Sequence, residues 1–144
     1  MTLEQIAQQA QTLTQAETAV LAWIETETAT VYYVAAVGKQ AAAIAGKRGQ
    51  IATSGLCGVV FQQSCPILVA QTQGDNRVRQ DQVAALGIET ALAVPLRQAD
   101  QIVGVLMVLN RQDGSLFDAA AQQQLERYAA EISQAVATLV QTDS

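Results

Sequence analysis

Two stretches near the start of the chain are apolar at successive positions and rich in β-branched and aromatic residues. The first runs from Thr18 to Ile24 and the second from Ala29 to Val37, with Glu25 to Thr28 between them. Two such runs separated by a short polar segment predict an antiparallel β-hairpin. Because apolar and polar residues do not alternate, we expect both faces of the sheet to be covered, by helices on one side and by loops or a pocket on the other.

Amphipathic helices are predicted at both ends of the chain. In Thr2–Leu13 an apolar residue returns at every third or fourth position, and Thr2 with Gln5 has the spacing of a capping box. At the other end, Asp118 is a candidate N-cap for a helix over Asp118–Val140, in which apolar positions follow a 4-3-4-3 spacing. A stripe with that spacing is typical of a helix that packs against other helices.

Shorter elements are predicted between these helices and the first two strands. They are a loop over Lys39–Ser54, a short helix over Gly55–Gln63, a strand over Ile67–Ala70, a small helix over Gln80–Leu86 and a strand pair over Ile88–Leu96 and Gln101–Asn110. The order gives five strands and an α+β fold. No repeat or linker interrupts it, so we expect residues 1–144 to form one domain with no output domain attached.

The composition excludes several classes of function. With 8 basic and 13 acidic residues the net charge is −5, and the basic residues are scattered, so we expect no nucleic-acid partner. The absence of His removes the commonest zinc ligand and the usual general base at neutral pH. No apolar run approaches the length of about 20 residues that a membrane span needs. We therefore expect a cytoplasmic protein with no metal site and no membrane partner.

The later part of the chain carries a family pattern. Thr90 to Leu96 (TALAVPL), Ile102 to Asn110 (IVGVLMVLN) and Phe117 before the last helix resemble the C-terminal half of a GAF domain. Upstream, Gly55 to Gly58 (GLCG) followed by Pro66 to Val69 (PILV) resemble the short helix and the next strand of that family. The resemblance implies a PAS-related central antiparallel sheet of five to six strands. It also implies terminal helices packed on one face and a loop-covered cavity on the other.

Several GAF subfamilies are distinguished by residues that this chain lacks. Bilin-binding members attach the chromophore through a Cys that is usually followed by His, and haem-binding members use an axial His. The region from Asp75 to Gly87 has no Cys, and the protein has no His, so the resemblance implies neither a covalent bilin nor a haem. Ala121 and Gln122 stand where the Asp-Glu pair of the cyclic-nucleotide-binding members would be.

One enzymatic subfamily has to be weighed. Free methionine-(R)-sulfoxide reductases are stand-alone GAF domains of about this length, and Cys57 resembles one of their resolving cysteines. Their attacking Cys should precede the Val-Pro-Leu strand, where this chain reads QVAAL from Gln82 to Leu86. We therefore expect a protein that is not an enzyme, with thiol-dependent reduction as the alternative.

The resemblance places candidate ligand residues under the loops. The residues that we expect to bind a ligand are Tyr33, Leu56, Cys57, Asp75, Arg77, Asp81 and Thr90. Tyr33 could equally be a core residue, Cys57 and Cys65 two small buried hydrophobic residues, and Asp75 and Asp81 turn formers. Loop cations that could meet an anionic ligand or remain solvated surface are Lys47, Arg48, Arg77 and Arg79.

The two terminal helices predict an assembly. Their apolar stripes could satisfy each other within one subunit, but small contact residues and the extension of the stripe to the chain end favour a homodimer through a helix bundle. The predicted interface residues are Leu3, Ile6, Leu13, Leu125, Ile132, Val136 and Leu139. We expect a sensory or regulatory module in signal transduction that binds a small-molecule ligand and acts through a protein partner. The other alternative is a structural adaptor with a collapsed cavity.

Overall fold

An antiparallel sheet forms the middle layer of the protein. The computed structural model describes residues 1–142, and within them the sheet has six strands. In chain order they are β1 (Ala16–Glu25), β2 (Thr30–Gly38), β3 (Arg48–Gln50), β4 (Ile67–Val69), β5 (Ala91–Gln98) and β6 (Gln101–Arg111). Their order across the sheet is β3-β2-β1-β6-β5-β4. The predicted α+β fold with five to six antiparallel strands is confirmed.

Four α-helices accompany the sheet within the described residues. They are α1 (Leu3–Thr14), α2 (Leu56–Gln63), α3 (Gln80–Leu86) and α4 (Ala119–Thr142). The capping box at the start of α1 is confirmed, because Thr2 and Gln5 each accept a hydrogen bond from the backbone N–H of the other. Asp118 caps α4 by accepting a hydrogen bond of 2.9 Å from the Ala121 N–H. No helix among residues 1–142 combines the length and the apolar character needed to cross a bilayer.

The terminal helices cover one face of the sheet. Side chains such as Leu21, Leu106 and Phe117 meet α1 and α4 in the larger hydrophobic cluster. Tyr128 of α4 donates a hydrogen bond of 2.9 Å to the Ile6 carbonyl of α1, so the two helices are joined directly.

Loops and α2 cover the opposite face. Along β1 the side chains alternate, since Ala19 and Leu21 join the helix-side cluster while Val20 and Ala22 join a second cluster with Leu56 of α2. A strand buried on both faces carries apolar residues at every position. The prediction of a doubly covered sheet is therefore confirmed.

β3 is the strand that the sequence pattern missed. Residues 48–50 lie within the segment predicted as loop, and they pair with Thr30, Val31 and Tyr32 of β2. The pairing uses backbone groups at a sheet edge, and the short sequence Arg-Gly-Gln has no apolar period.

β5 also begins later than predicted, at Ala91, because the N–H groups of Glu89 and Thr90 donate to the Asn110 side chain instead of to a strand.

The predicted dimer stripe is largely internal to one chain, which corrects several interface residues. Ile6, Leu125 and Val136 are at most 1% exposed, and Ile132 is 8% exposed. These side chains lie in the helix-side cluster, so they are not available for a dimer contact. The 4-3-4-3 stripe of α4 packs on α1 and on the sheet. This is the alternative in which the two terminal helices cover each other within one subunit.

Candidate functional site

A cavity of about 140 Å³ lies between the sheet and the loops, on the face opposite to the terminal helices. Its apolar floor comes from the sheet and includes Ala91 of β5 and Met107 and Leu109 of β6. Ile44 and Leu56 form part of its walls. An apolar cavity of about 150 Å³ holds a molecule of the size of benzene. The cavity therefore has room for a small ring or a short aliphatic body.

The segment between β2 and α2 forms one side of the cavity and is held by backbone hydrogen bonds. The Tyr33 N–H donates to the Lys47 carbonyl over 2.9 Å, and the Gly46 N–H donates to the Tyr33 carbonyl over 2.8 Å. A Cβ at Gly58 would lie 2.1 Å from the Ile51 carbonyl oxygen. Only glycine at that position lets α2 approach this segment so closely.

A second segment, residues 78–88, closes the other side. Val78, Arg79, Gln82 and Ile88 line the cavity. The Thr72 hydroxyl donates a hydrogen bond of 2.6 Å to the Ile88 carbonyl, which anchors the end of the segment.

The charged residues that line the cavity are all basic. They are Lys47, Arg48 and Arg79. Arg48 pairs with Glu25 at 3.1 Å and its guanidinium lies 3.7 Å from the centroid of the Tyr32 ring. Arg79 pairs with Asp81 at 2.7 Å. No acidic side chain lines the cavity in the part of the chain that the structure describes.

Two ionisable side chains beside the cavity are shielded from water, the half-buried Tyr33 and the buried Cys57. The Tyr33 hydroxyl lies 3.5 Å from the Ser54 carbonyl oxygen, which is long for an O–H donor. Burial raises the pKa of Tyr33 well above its ordinary value, and the nearby Cys57 adds to this effect. Cys57 is 1% exposed, its Sγ lies 3.9 Å from Met107 Sδ, and burial raises its pKa to about 12. Cys57 is therefore a neutral thiol at physiological pH.

A polar network joins the end of this site to the central strands. The Asn110 amide oxygen accepts from the N–H groups of Glu89 and Thr90 at 2.6 Å and 3.2 Å. Its Nδ2 donates to the Gly87 carbonyl at 2.8 Å and to Glu17 Oε1 at 3.1 Å. The hydrogen bond from Asn110 is the largest effect that lowers the pKa of Glu17. Asn110 thus ties the segment after α3 to β1 and β6.

The structure brings two of the seven predicted ligand residues to the cavity surface, namely Tyr33 and Leu56. Asp75 and Arg77 pair with each other at 2.7 Å, and Asp81 pairs with Arg79. The Thr90 hydroxyl donates to the Val69 carbonyl and accepts from the Phe117 N–H. These four residues stabilise turns and strand ends and do not line the cavity. Cys57 likewise lies behind the lining.

Sequence reasoning did not include Lys47, Arg79 and Met107 in the site. The sequence identifies Lys47 and Arg79 only as loop cations that could meet an anionic ligand or remain solvated surface. Their convergence on one cavity needs the pairing of β2 with the following segment, which local spacing does not indicate. Met107 belongs to an apolar strand whose two faces are equally hydrophobic. In residues 1–142 no group of three or more Cys, Asp or Glu side chains could hold a metal ion.

Comparison with known families agrees with this architecture. A model of the GAF domain matches residues 2–137. The chain belongs to the GAF domain family. GAF domains are a family of sensory and regulatory modules. No curated protein is significantly similar to the sequence.

Solved GAF structures superpose on nearly the whole chain. The GAF domain of an Acinetobacter phosphoenolpyruvate-protein phosphotransferase has a TM-score of 0.80 at 19% identity, with 98% of this chain and 83% of that chain covered. The GAF-B domain of DevS from Mycobacterium smegmatis has a TM-score of 0.72 at 19% identity, with 98% and 96% covered. The free methionine-R-sulfoxide reductase from Neisseria meningitidis has a TM-score of 0.74 at 16% identity, with 95% and 78% covered. At these identities the similarity establishes the fold.

Proposed function

We propose that this GAF domain is a regulatory module that binds a small molecule in the cavity between the sheet and the loops. The single observation that carries the proposal is the cavity itself, which has an apolar floor on the sheet and a polar, basic mouth in two loop segments. Small-molecule sites typically combine an apolar lining with a few polar groups that orient the ligand. A fold used by sensory and regulatory modules adds support.

A role without catalysis is supported by the burial and the raised pKa of Cys57. Cys57 is buried with a pKa near 12, whereas an attacking thiol needs to be a thiolate near neutral pH. The alternative, a thiol-dependent reductase, is supported by the fold that this chain shares with the Neisseria enzyme. Turnover of methionine sulfoxide that is lost in Cys57→Ser would favour the reductase.

We place the protein in the cytoplasm, where free cysteines such as Cys57 and Cys65 persist.

We propose that the ligand signal reaches α4 through Thr90. Ile88 lines the cavity, and Thr90, two residues later, accepts a hydrogen bond of 3.2 Å from the N–H of Phe117. Phe117 directly precedes the N-cap of α4. A shift of the 78–88 segment would therefore displace the start of α4, and a protein partner that binds there would respond to the displacement.

Filling the cavity should abolish ligand binding. Ala91→Leu places a larger apolar side chain on the cavity floor, where the empty space accommodates it with little loss of stability. We expect benzoate or benzamide, as probes of the right size, to raise the melting temperature of the wild type and to lose that effect in Ala91→Leu. Differential scanning fluorimetry measures both.

The matched control for this experiment is Ala84→Leu. Ala84 is exposed on α3 and does not line the cavity, so this variant should respond to the probes like the wild type. If neither probe binds and native mass spectrometry of the purified protein finds no retained small molecule, the cavity is closed. The structural-adaptor alternative would then replace the proposal.

We also propose that the protein forms a homodimer through apolar residues that the single chain leaves partly exposed. Leu3 and Leu139, two of the predicted interface residues, border a groove on the helix side together with Trp23, Val34 and Val103. All five are only partly buried. Partly exposed apolar residues that gather in one groove with a polar rim are typical of an interface. Leu13, the third exposed member of the predicted set, is 40% exposed and lies outside the groove.

Leu139→Glu should convert the dimer to a folded monomer. The charge enters the partly exposed groove, so it opposes association without entering the core. Light scattering should give half the wild-type mass, with an unchanged far-ultraviolet circular dichroism spectrum. The control is Gln124→Glu on an exposed position of α4, which should stay dimeric. A Leu139→Glu protein of wild-type mass contradicts this interface.

A further inference from the structure

We propose that the cavity selects a small organic anion, in which a carboxylate is carried by an apolar ring or short chain. The proposal rests on the cavity being the ligand site, as stated under the proposed function. It adds the chemical class of the ligand. The apolar body would lie on the floor formed by Ala91, Met107 and Leu109, and the carboxylate would lie at the mouth beside Lys47 and Arg79.

Charge is distributed unevenly between the cavity and the rest of the protein. The chain has a net charge of −5, yet the charged residues lining the cavity in the described part of the chain are three basic ones. A cleft of one sign with low-dielectric walls concentrates ligands of the opposite sign. The other large groove of the molecule shows the contrast, because its lining includes Glu4, Glu25 and Glu27 with Arg48.

Lys47 supplies a cation that is not neutralised by the protein. Ion pairs within residues 1–142 involve Arg48, Arg77, Arg79 and Arg111, and Lys47 belongs to none of them. Its backbone is fixed at the cavity edge, since its carbonyl accepts from the Tyr33 N–H and its own N–H donates to the Ile44 carbonyl. The main chain of Lys47 is therefore held at the cavity edge, from which its exposed side chain can reach the mouth.

Arg79 supplies the second cation from the opposite segment. Its side chain packs against Gly55, where an added Cβ would lie 3.1 Å from Arg79 Cγ. The bidentate pair with Asp81 uses Nε and Nη2 of the guanidinium, which leaves Nη1 for a ligand. The charge of Arg79 also reaches the interior, because it partly offsets the rise that burial causes in the pKa of Tyr33.

Tyr33, which lines the cavity and interacts with Cys57, adds a hydroxyl group to the site. Its hydroxyl lies 3.5 Å from the Ser54 carbonyl oxygen, longer than the range of about 2.5 to 3.0 Å for a good O–H donor. A carboxylate oxygen would be a stronger acceptor for this hydroxyl. Arg48 is left out of the recognition set because the Tyr32 ring lies against its guanidinium in addition to the ion pair with Glu25, whereas the pair with Asp81 engages one edge of the Arg79 guanidinium.

Benzoate and benzamide test the proposal because they share the ring and differ in charge. We expect isothermal titration calorimetry at low salt to show at least tenfold tighter binding of benzoate, the result of about one additional charge-assisted hydrogen bond. The double variant Lys47→Gln/Arg79→Gln should remove this difference by weakening benzoate about tenfold and leaving benzamide unchanged. Raising the ionic strength should weaken benzoate in the wild type only.

The control is Lys39→Gln, which removes an exposed cation outside the cavity lining and should bind both probes like the wild type. The anion proposal is overturned if the two probes bind equally, lose binding in Ala91→Leu and keep it in the double variant. That result would still support the cavity as a ligand site. An absence of binding by both probes overturns the anion proposal, and it overturns the proposed function as well when native mass spectrometry finds no retained small molecule. Binding of benzoate that survives in Ala91→Leu also overturns it, because the site would then lie elsewhere.

Discussion

Asn110→Leu should destabilise the protein by roughly 3 to 5 kcal/mol, because it leaves several polar groups without partners. Asn110 is 8% exposed, and its side chain accepts from the N–H groups of Glu89 and Thr90 while donating to the Gly87 carbonyl and the Glu17 carboxylate. Leucine makes none of these bonds. Leucine would also have to adopt the positive φ of 57° that Asn110 has, which asparagine tolerates better than other residues. Urea unfolding followed by circular dichroism measures the loss.

Asn76→Leu is the matched control for this prediction, since Asn76 is exposed in a turn. We expect it to change the unfolding free energy by less than about 0.5 kcal/mol. If Asn110→Leu were as stable as Asn76→Leu, the network would not hold the segment after α3 in place.

The variant Asn110→Asp extends the prediction to pH. In the wild type the hydrogen bond from Asn110 lowers the pKa of Glu17 from its ordinary value of 4.5. That stabilisation is present above the ordinary pKa and is lost as the pH falls through the lowered one. In the variant two carboxylates adjoin, which raises their pKa values in the folded state. The deficit relative to wild type should therefore be largest near neutral pH and shrink as acid protonates the pair. A deficit that grows in acid would contradict this arrangement.

Phe117→Ala should cost about 3 to 5 kcal/mol of unfolding free energy, the usual loss for a fully buried phenylalanine. Phe117 is 2% exposed and packs in the helix-side cluster at the start of α4. Its removal leaves a cavity where the last helix joins the sheet. Urea unfolding gives the loss, and a lower melting temperature should accompany it.

Two variants control the size of this effect. Phe117→Leu keeps most of the apolar volume and should lose less than about 1.5 kcal/mol. Phe61→Ala makes the same truncation at a partly exposed position of α2 and should cost clearly less than Phe117→Ala. Equal losses of unfolding free energy in Phe61→Ala and Phe117→Ala would show that the effect at Phe117 does not depend on its burial under α4.

Elements with a strong local pattern were predicted with accurate bounds. α3 runs over Gln80–Leu86 as predicted and ends at Gly87, whose φ of 68° is accessible to glycine at little steric cost. The capping box of Thr2 and Gln5 places the start of α1. Such signals depend on neighbours within a few residues, so they can be read from the chain alone.

Elements and roles that depend on distant parts of the chain were not predicted correctly. β3 exists because backbone groups of residues 48–50 meet the edge of β2. Lys47 and Arg79 share one cavity although 32 positions, the difference between 79 and 47, separate them.

The residue pattern was sufficient for the layered α+β fold and the GAF family, because burial on both faces of a sheet and the ends of helices leave local signatures in sequence. Packing in three dimensions settled the rest. It placed Ile6 and Val136 inside one chain and left Leu3 and Leu139 at a groove. It also gathered basic side chains around an apolar cavity in an acidic protein. An apolar stripe specifies that a face must be covered, whereas the identity of what covers it depends on contacts between residues far apart in the chain.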